Sequence, residues 1–385
     1  MAANHSNNQT TFHGIQNGSD SKIEAGGQQM SVAETYLIGF MICIGIIGMI
    51  GNFTVLLVVK RITTQKVKFL ISSQAMIDCL TSFVLVADTF NILYPSQPPR
   101  NIVMGYLYCC LWNSNLLLFG LFNMSTWNLV AISIERSVAV INPMWYRVSF
   151  SEAKAALLGL TAWVIAPTMQ TTYVIIRRKR FADGECTANY LTREAQMIVG
   201  IFIFLWDFFL PCIIMGVCFT CISFKLMEQD RQSRILRGHI SADISTVSGV
   251  VANRNKEGAT TITANAKIDK FHKKGTIKVD TKNDTFAEVS RSRSVTQTFV
   301  IIFVVFVICW ITNQCLFLQY NLGGYDYWSK PENYFANSMA ILNSVCNPFI
   351  YVLHVKTYRQ KLRRALFSTS SKSMEMTKIQ SLNQK

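Results

Sequence analysis

The stretch SIERSVAVINPMWY, residues 133–146, decides how this chain is read. It closes a run, Asn101 to Ile134, that contains no charged residue, and closes it on an adjacent acid and base, Glu135 and Arg136, before the turn-like pair Asn142-Pro143. A soluble helix spreads its charges along one face. A helix lying in lipid keeps them at its ends, because a charge at the bilayer centre costs about 2.5–3.5 kcal/mol on insertion scales. The run therefore reads as a membrane span that surfaces at Glu135 and Arg136.

The rest of the chain repeats the pattern. Charge-free stretches recur at Thr35–Val59, Ala155–Ile176, Val295–Tyr325 and Asn333–Leu353, and two more, Phe69–Ala87 and Ala195–Phe224, are interrupted only by Asp78 and Asp207. A bilayer core of about 30 Å needs roughly 20 helical residues at about 1.5 Å each. The expected fold is an all-α membrane protein, a seven-transmembrane helix bundle. Composition agrees: 15% of the residues are charged, where soluble domains carry about a quarter. The expected order is a polar N-terminal tail (1–33), spans one to five (34–225), a long, largely disordered third inner loop between helix extensions (226–293), spans six and seven (294–353), and an amphipathic helix with a tail (354–385). In that helix Val355, Tyr358, Leu362, Leu366 and Phe367 share one face and bases fill the other, as in a helix lying on the inner leaflet.

The net charge of +15 invites a nucleic-acid reading, but its placement argues for the lipid bilayer as the partner. With the N-terminus outside, 29 of the 37 Lys and Arg residues fall on the inner side, which is the positive-inside bias. The cluster Arg177–Arg180 runs against it. The expected location is the plasma membrane, with the C-terminus cytoplasmic and no nucleic acid bound. The polar first 31 residues hold no apolar signal-peptide core. Asn4, Asn8 and Asn17 stand in glycosylation sequons there, in an arm read as disordered, whereas the sequons at Asn52 and Asn123 fall inside spans and read as chance. Of eleven cysteines, only Cys109, Cys110 and Cys186 sit near the outer surface, so a bridge from Cys186 to one of the pair is expected in that oxidising compartment.

One motif per span turns pattern into resemblance. Gly51-Asn52 stands in the first span, AMIDCL with Asp78 in the second, IERS with Arg136 in the third, Trp163 in the fourth, Pro211 in the fifth, FVICW with Phe306 and Trp310 in the sixth, and NPFIY with Asn347, Pro348 and Tyr351 in the seventh. Over about residues 34–367 the chain resembles a rhodopsin-like (class A) G-protein-coupled receptor, of the peptide-receptor type. The resemblance implies an extracellular ligand, a heterotrimeric G protein, receptor kinases and arrestin as partners, and no enzyme activity. It makes Glu135, Arg136, Phe306, Trp310, Asn347, Pro348 and Tyr351 the activation switch, with Arg136, Met144 and Trp145 meeting the G protein. It places no catalytic cofactor, but an allosteric sodium ion at Asp78, Ser125, Asn343 and Ser344, oxygen donors suited to a hard cation.

The departures carry expectations of their own. The usual bridging cysteine lies 25 residues before the arginine, where this chain has Leu111; Cys110 is one residue short of it and Cys109 two, and a Cys110–Cys186 bridge is expected over Cys109. Thr312 stands where the sixth span usually has a kinking proline, and a threonine bends a helix only mildly by bonding back to the preceding turn. The lower sixth span offers SRSRS (290–294), with no acid to hold Arg136, and Phe219 stands where a tyrosine usually stabilises the active state, so a weak inactive lock is expected.

Amine receptors carry an aspartate 18 residues before the third-span arginine; here that residue is Leu118. Opsins need a lysine where this chain has Ile341. The polar groups left in the outer halves of the spans are Asp88, Asn115, Gln170, Asp207, Asn313, Gln314, Gln319 and Tyr320, and the apolar Leu118 joins them in the expected ligand site. Two acids with amide neighbours suit a cationic ligand with several hydrogen-bonding groups, which a small neuropeptide fits best; a non-peptide small molecule is the alternative, and for each residue a helix–helix hydrogen bond is the plain structural reading. A membrane transporter is a distant third, since neither repeated halves nor paired broken helices are evident.

Overall fold

Ser31 opens the first long helix with a capping box. Its hydroxyl accepts from the Glu34 amide at 3.2 Å, and the Glu34 carboxylate accepts from the Ser31 amide at 2.8 Å, satisfying donors a helix start would otherwise leave open. The computed structural model describes residues 23–25, 28–59, 65–94, 97–176, 180–182, 185–187, 191–254, 297–323, 331–354 and 358–363. The long helices are α1 (Val32–Val59), α2 (Gln65–Leu93), α4 (Leu116–Ile141), α6 (Glu152–Ile176), α7 (Arg193–Phe204) continuing into α8 (Leu210–Arg254), α9 (Gln297–Asn321) and α10 (Pro331–His354). Short helices α3 (Ile102–Leu107) and α5 (Pro143–Ser149) flank α4, and α11 (358–363) follows α10.

The seven-span bundle stands, and its packing is inverted relative to a soluble protein. Asp78, Thr81, Asn128 and Glu135 are 0% exposed, while Phe83, Ile198, Val217 and Leu353 face outward at 57–68%. Lipid accepts the apolar outside, and the interior must satisfy every polar group itself. α1, α2, α4, α7–α8 and α9 are long and apolar enough to cross a bilayer. α10 matches them in length at 24 residues, but carries Asn333, Asn337, Asn343 and Asn347 into the bundle. α6, at 25 residues, meets α5 at a 96° bend, so α5 lies across one end of the bundle.

Close packing uses small residues, as lipid-embedded helices require. Gly45, Gly48 and Gly51 form one stripe on α1: a Cβ at Gly45 would stand 2.6 Å from Val86, and one at Gly51 3.1 Å from Pro348. On α7, a Cβ at Gly200 would stand 2.5 Å from Asn321 Cγ, so α7 and α9 touch without room for a side chain. α9 runs unbroken through Thr312, whose hydroxyl makes no back-bond among the described residues, and ends at Gly323 with φ +86°.

Four differences from the sequence reading have local causes. The third span is not continuous: α3 leads into a π-helical turn, Tyr108–Trp112, and a break at Asn115, whose φ of 56° is left-handed, a conformation asparagine tolerates better than most residues. The wide turn and the break use up residues that a straight α-helix would spend on rise. That moves Cys109, not Cys110, opposite Cys186. The bridge is Cys109–Cys186 with Cα atoms 5.3 Å apart, and Cys110 takes no part in a disulfide. The expected Cys110–Cys186 pairing is therefore corrected. Cys186 is brought there by the hairpin β3 (Arg180–Ala182) and β4 (Glu185–Thr187), where it pairs with Phe181. The third difference is at 23–30, in the arm read as disordered, where Ile23–Ala25 and Gln28–Met30 form an antiparallel hairpin.

Lastly, α8 extends to Arg254, well into the segment read as a disordered loop. Beyond Lys225 the sequence keeps an apolar stripe at helical spacing, Leu236, Ile240, Ile244, Val247 and Val251, and Gln232 supports the helix by donating to Glu228 one turn back at 2.8 Å. Asn4, Asn8, Asn17, residues 290–294 and 368–373 lie outside the described residues.

Cys109→Ser removes a cross-link whose loss typically costs about 2–5 kcal/mol. Its surface expression and melting temperature should fall sharply, while Cys110→Ser keeps both near wild type; a thermal-shift assay with surface immunostaining of the two variants reads the difference.

Candidate functional site

α4 runs through the centre of the bundle and carries polar side chains to three places. The first is its Arg136 end. Arg136 donates through Nε and Nη2 to the Glu135 carboxylate, and the Tyr146 hydroxyl of α5 donates to the same carboxylate. Glu135 is 0% exposed and the Arg136 side chain 16%. A carboxylate buried this deeply needs donors, and α5 supplies one that the sequence reading missed. Tyr146 stacks on Phe150 with ring centroids 5.1 Å apart. Burial, and then its bond to Glu135, push its phenol well above the usual range, so it remains a proton donor at any physiological pH. Ser137, the next residue, donates to Cys218 O at 3.3 Å and ties α4 to α8, and Phe219 packs on Phe303 at 5.3 Å. Met144 and Trp145 stand exposed on α5.

The second place is the middle of the bundle. Asp78 accepts from Ser125 Oγ at 2.8 Å, from Asn347 Nδ2 at 2.8 Å, and from Gln74 Nε2 at 3.1 Å to each carboxylate oxygen. Gln74 Nε2 also reaches Ser125 Oγ at 2.6 Å, and Gln74 Oε1 accepts from Asn128 Nδ2 at 2.8 Å. Three helices, α2, α4 and α10, thus meet on one acid. Of the four residues expected around an ion, Asp78 and Ser125 join this network, while Asn343 Oδ1 and Ser344 Oγ are buried with no hydrogen-bond partner among the described residues. Gln74 and Asn128 were missed, although Gln74 lies one turn before Asp78 on the same helix face, which was the available signal. Close by, Tyr351 is buried with its hydroxyl unbonded among the described residues, and its ring stands 6.2 Å from Tyr358 of α11. Pro348 packs against Gly51.

One turn from Ser125, an aromatic stack fills the core. Phe122 meets Trp310 edge-on at 5.3 Å, Trp310 lies 6.2 Å from Phe306, and Phe306 6.2 Å from Phe208. It joins α4, α9 and the fifth span.

The third place faces the end that holds the disulfide. The fifth span contains a π-helical turn, Leu205–Phe209, a device frequent at functional sites. It presents Asp207 to Asn123 Nδ2 at 2.6 Å and to Gln170 Nε2 at 2.9 Å. Asn123, missed as a site residue, is 2% exposed, and Asn52 is 1% exposed, so neither of these sequons is open to glycosylation. Asn313 donates to Asn337 Oδ1 at 3.0 Å, and Asn337 to Asn333 at 3.1 Å, a chain of amides between α9 and α10. Gln314 and Leu118 are buried, and Gln314 Oε1 has no partner among the described residues. Asn115 serves the backbone break. Tyr320 is half-buried near the end of α9. Asp88, on the last turns of α2, is partly buried with no hydrogen-bond or ion-pair partner among the described residues.

Comparison with known proteins gives one consistent class. Residues 51–351 match the family described as 7 transmembrane receptor (rhodopsin family). The chain is 24% identical to the octopamine receptor beta-2R of Chilo suppressalis, over 94% of this chain and 87% of that protein. It is 23% identical to the cholecystokinin receptor of Xenopus laevis over 82% and 73% of the two chains, and 28% identical to the GQ-coupled rhodopsin of Mizuhopecten yessoensis over 51% and 40%.

Tyr146→Phe deletes one donor from the buried Glu135 carboxylate. The expected loss is about 1–3 kcal/mol, seen as a lower melting temperature of the purified protein than that of Tyr36→Phe, a control at a position 76% exposed; equal melting of the two variants would show that the bond holds nothing.

Proposed function

The chain belongs to the rhodopsin family of seven-transmembrane receptors, and from that premise we propose that it binds an extracellular neuropeptide and activates heterotrimeric G proteins from the plasma membrane. We read the N-terminus and the Cys109–Cys186 end as extracellular and the Arg136 end as cytoplasmic, in keeping with the basic residues gathered around the latter.

The observation that carries the ligand reading is Asp88. Partly buried and without a hydrogen-bond or ion-pair partner among the described residues, its carboxylate is suited to a cationic group brought from outside. The amide chain Asn313–Asn337–Asn333 and the unbonded Gln314 Oε1 add the hydrogen-bonding groups a peptide backbone uses. Leu118, buried and apolar, offers no counter-ion where an amine receptor has one. A second reading, a non-peptide small molecule, is favoured by Asp207: its oxygens are already held by Asn123 and Gln170, which leaves one acid rather than two for a ligand.

The mechanism is a shift between two bundle states. The ligand favours the state with α9 swung outward only to the extent that it binds that state better. The stack of Phe122, Trp310 and Phe306 is the contact through which a ligand beside α9 is felt, and Asn347, Pro348 and Tyr351 lie on the route to the cytoplasmic end. There Arg136 leaves Glu135 to meet the G protein, alongside the exposed Met144 and Trp145. Hydroxyls at 290–294 and 368–373 are read as targets of receptor kinases, with arrestin as the partner of the modified chain.

A peptide library applied to transfected cells, read by G-protein dissociation, tests the class of ligand. Asp88→Asn should then lower the potency of the active peptide about 10- to 100-fold, the range for losing a charged hydrogen bond, at unchanged surface expression. Response to small non-peptides alone would reject the peptide reading, and full potency of the peptide in Asp88→Asn would reject Asp88 as its counter-charge.

A further inference from the structure

The Gln74 side chain stands where the expected ion would have to bind. Gln74 is 1% exposed, and its Nε2 reaches both oxygens of Asp78 at 3.1 Å and Ser125 Oγ at 2.6 Å. The orientation of the amide follows from its neighbours. An ionised carboxylate only accepts, so the nitrogen faces Asp78, and the oxygen faces Asn128, whose Nδ2 donates to it at 2.8 Å. Ser125 spends its own proton on Asp78 Oδ1 at 2.8 Å, which leaves its lone pairs for the second N–H of Gln74.

A sodium ion bound by Asp78, Ser125, Asn343 and Ser344 needs those same lone pairs. With the amide in place, the carboxylate is met by Gln74, Ser125 and Asn347, and Ser125 is met by Gln74. Asn343 Oδ1 and Ser344 Oγ meet no hydrogen-bond criterion among the described residues, Ser344 standing beside the Asp78 carboxylate, but two neutral oxygens do not draw a cation out of water without the charge of the acid. The residues present do not fit the ion.

We infer that the Gln74 carboxamide is a tethered replacement for the ion. It brings the positive end of an amide dipole to Asp78 and Ser125 permanently, pinning α2 to α4 at the point where a diffusible cation would otherwise do so. The stability of the resting bundle is then independent of sodium concentration. This inference rests on membership of the family and on the Asp78 network, not on the ligand.

The test is the melting temperature of the purified full-length receptor, without ligand or G protein, in sodium chloride against choline chloride at matched ionic strength. The wild type should melt at the same temperature in both salts. Gln74→Leu opens the lone pairs and should gain a sodium-specific rise of roughly 2 °C or more, which Asp78→Asn in the same chain removes. A sodium-specific rise in the wild type that Asp78→Asn abolishes would overturn the inference, as would a folded Gln74→Leu protein with no sodium response. The wild type and Asp78→Asn alone decide the matter if Gln74→Leu does not fold. Because nothing in this assay depends on signalling, its outcome is separate from that of the peptide screen.

Discussion

A carboxylate sealed inside a helix bundle has to be met by hydrogen-bond donors, and Asp78 is met from α2, α4 and α10 together. In lipid there is no water to take over a missing bond, so the rotation of these three helices about their axes is set by that one acid. Much of the bundle follows. Ser125 faces Asp78, and Asn123, two residues away on another face of α4, is thereby turned toward Asp207 and Gln170. Phe122, one turn along from Ser125, is brought against Trp310. Eleven residues in the other direction, about 16 Å at helical rise, Arg136 reaches the end of the span.

The two ends of α4 are held by different means. At the Arg136 end the restraint is local: the acid is the arginine's own neighbour in sequence, and its further donor, Tyr146, comes from the next helix. No acid from α9 takes part among the described residues. At the other end the restraint is distributed over amides that join α4 to α6 and the fifth span, and α9 to α10. On the function proposed above, a signal would enter among the amides, meet many weak bonds, and leave through one compact ion pair. This favours a two-state response, since the ion pair is either closed or open.

What was legible in the sequence was whatever lipid dictates. Runs without charge gave the spans, and the position of Glu135 and Arg136 gave the end of the third. Asp78 and Asp207 stood out because an acid in such a run is costly. The partners of these acids were less legible, because Gln74, Asn123 and Asn128 are neutral and common, and only the packing of helices distant in sequence brings them to a carboxylate. Tyr146 was hidden for the same reason: its role depends on the bend between α5 and α6. The bridge went to Cys109 because counting back from Arg136 assumes a regular helix, and Tyr108–Trp112 and Asn115 break that regularity. The length of α8 was hidden because the Ser-, Thr-, Lys- and Asn-rich composition of 226–293 masked the stripe Leu236, Ile240, Ile244, Val247 and Val251.

The π-helical turn at Leu205–Phe209 stores one residue more than a regular helix would hold over the same height. Everything on its disulfide side, Arg193 to Phe204, therefore faces the bundle with a phase set by that surplus. Winding the same residues as regular α-helix would instead turn the segment by about 100° and lift it by about 1.5 Å. Ile201 would then arrive where Gly200 now lies against Asn321, a place with no room even for a methyl group. The bulge and the glycine are thus one device in two parts: the surplus residue aims the helix, and the bare backbone lets the aim be used.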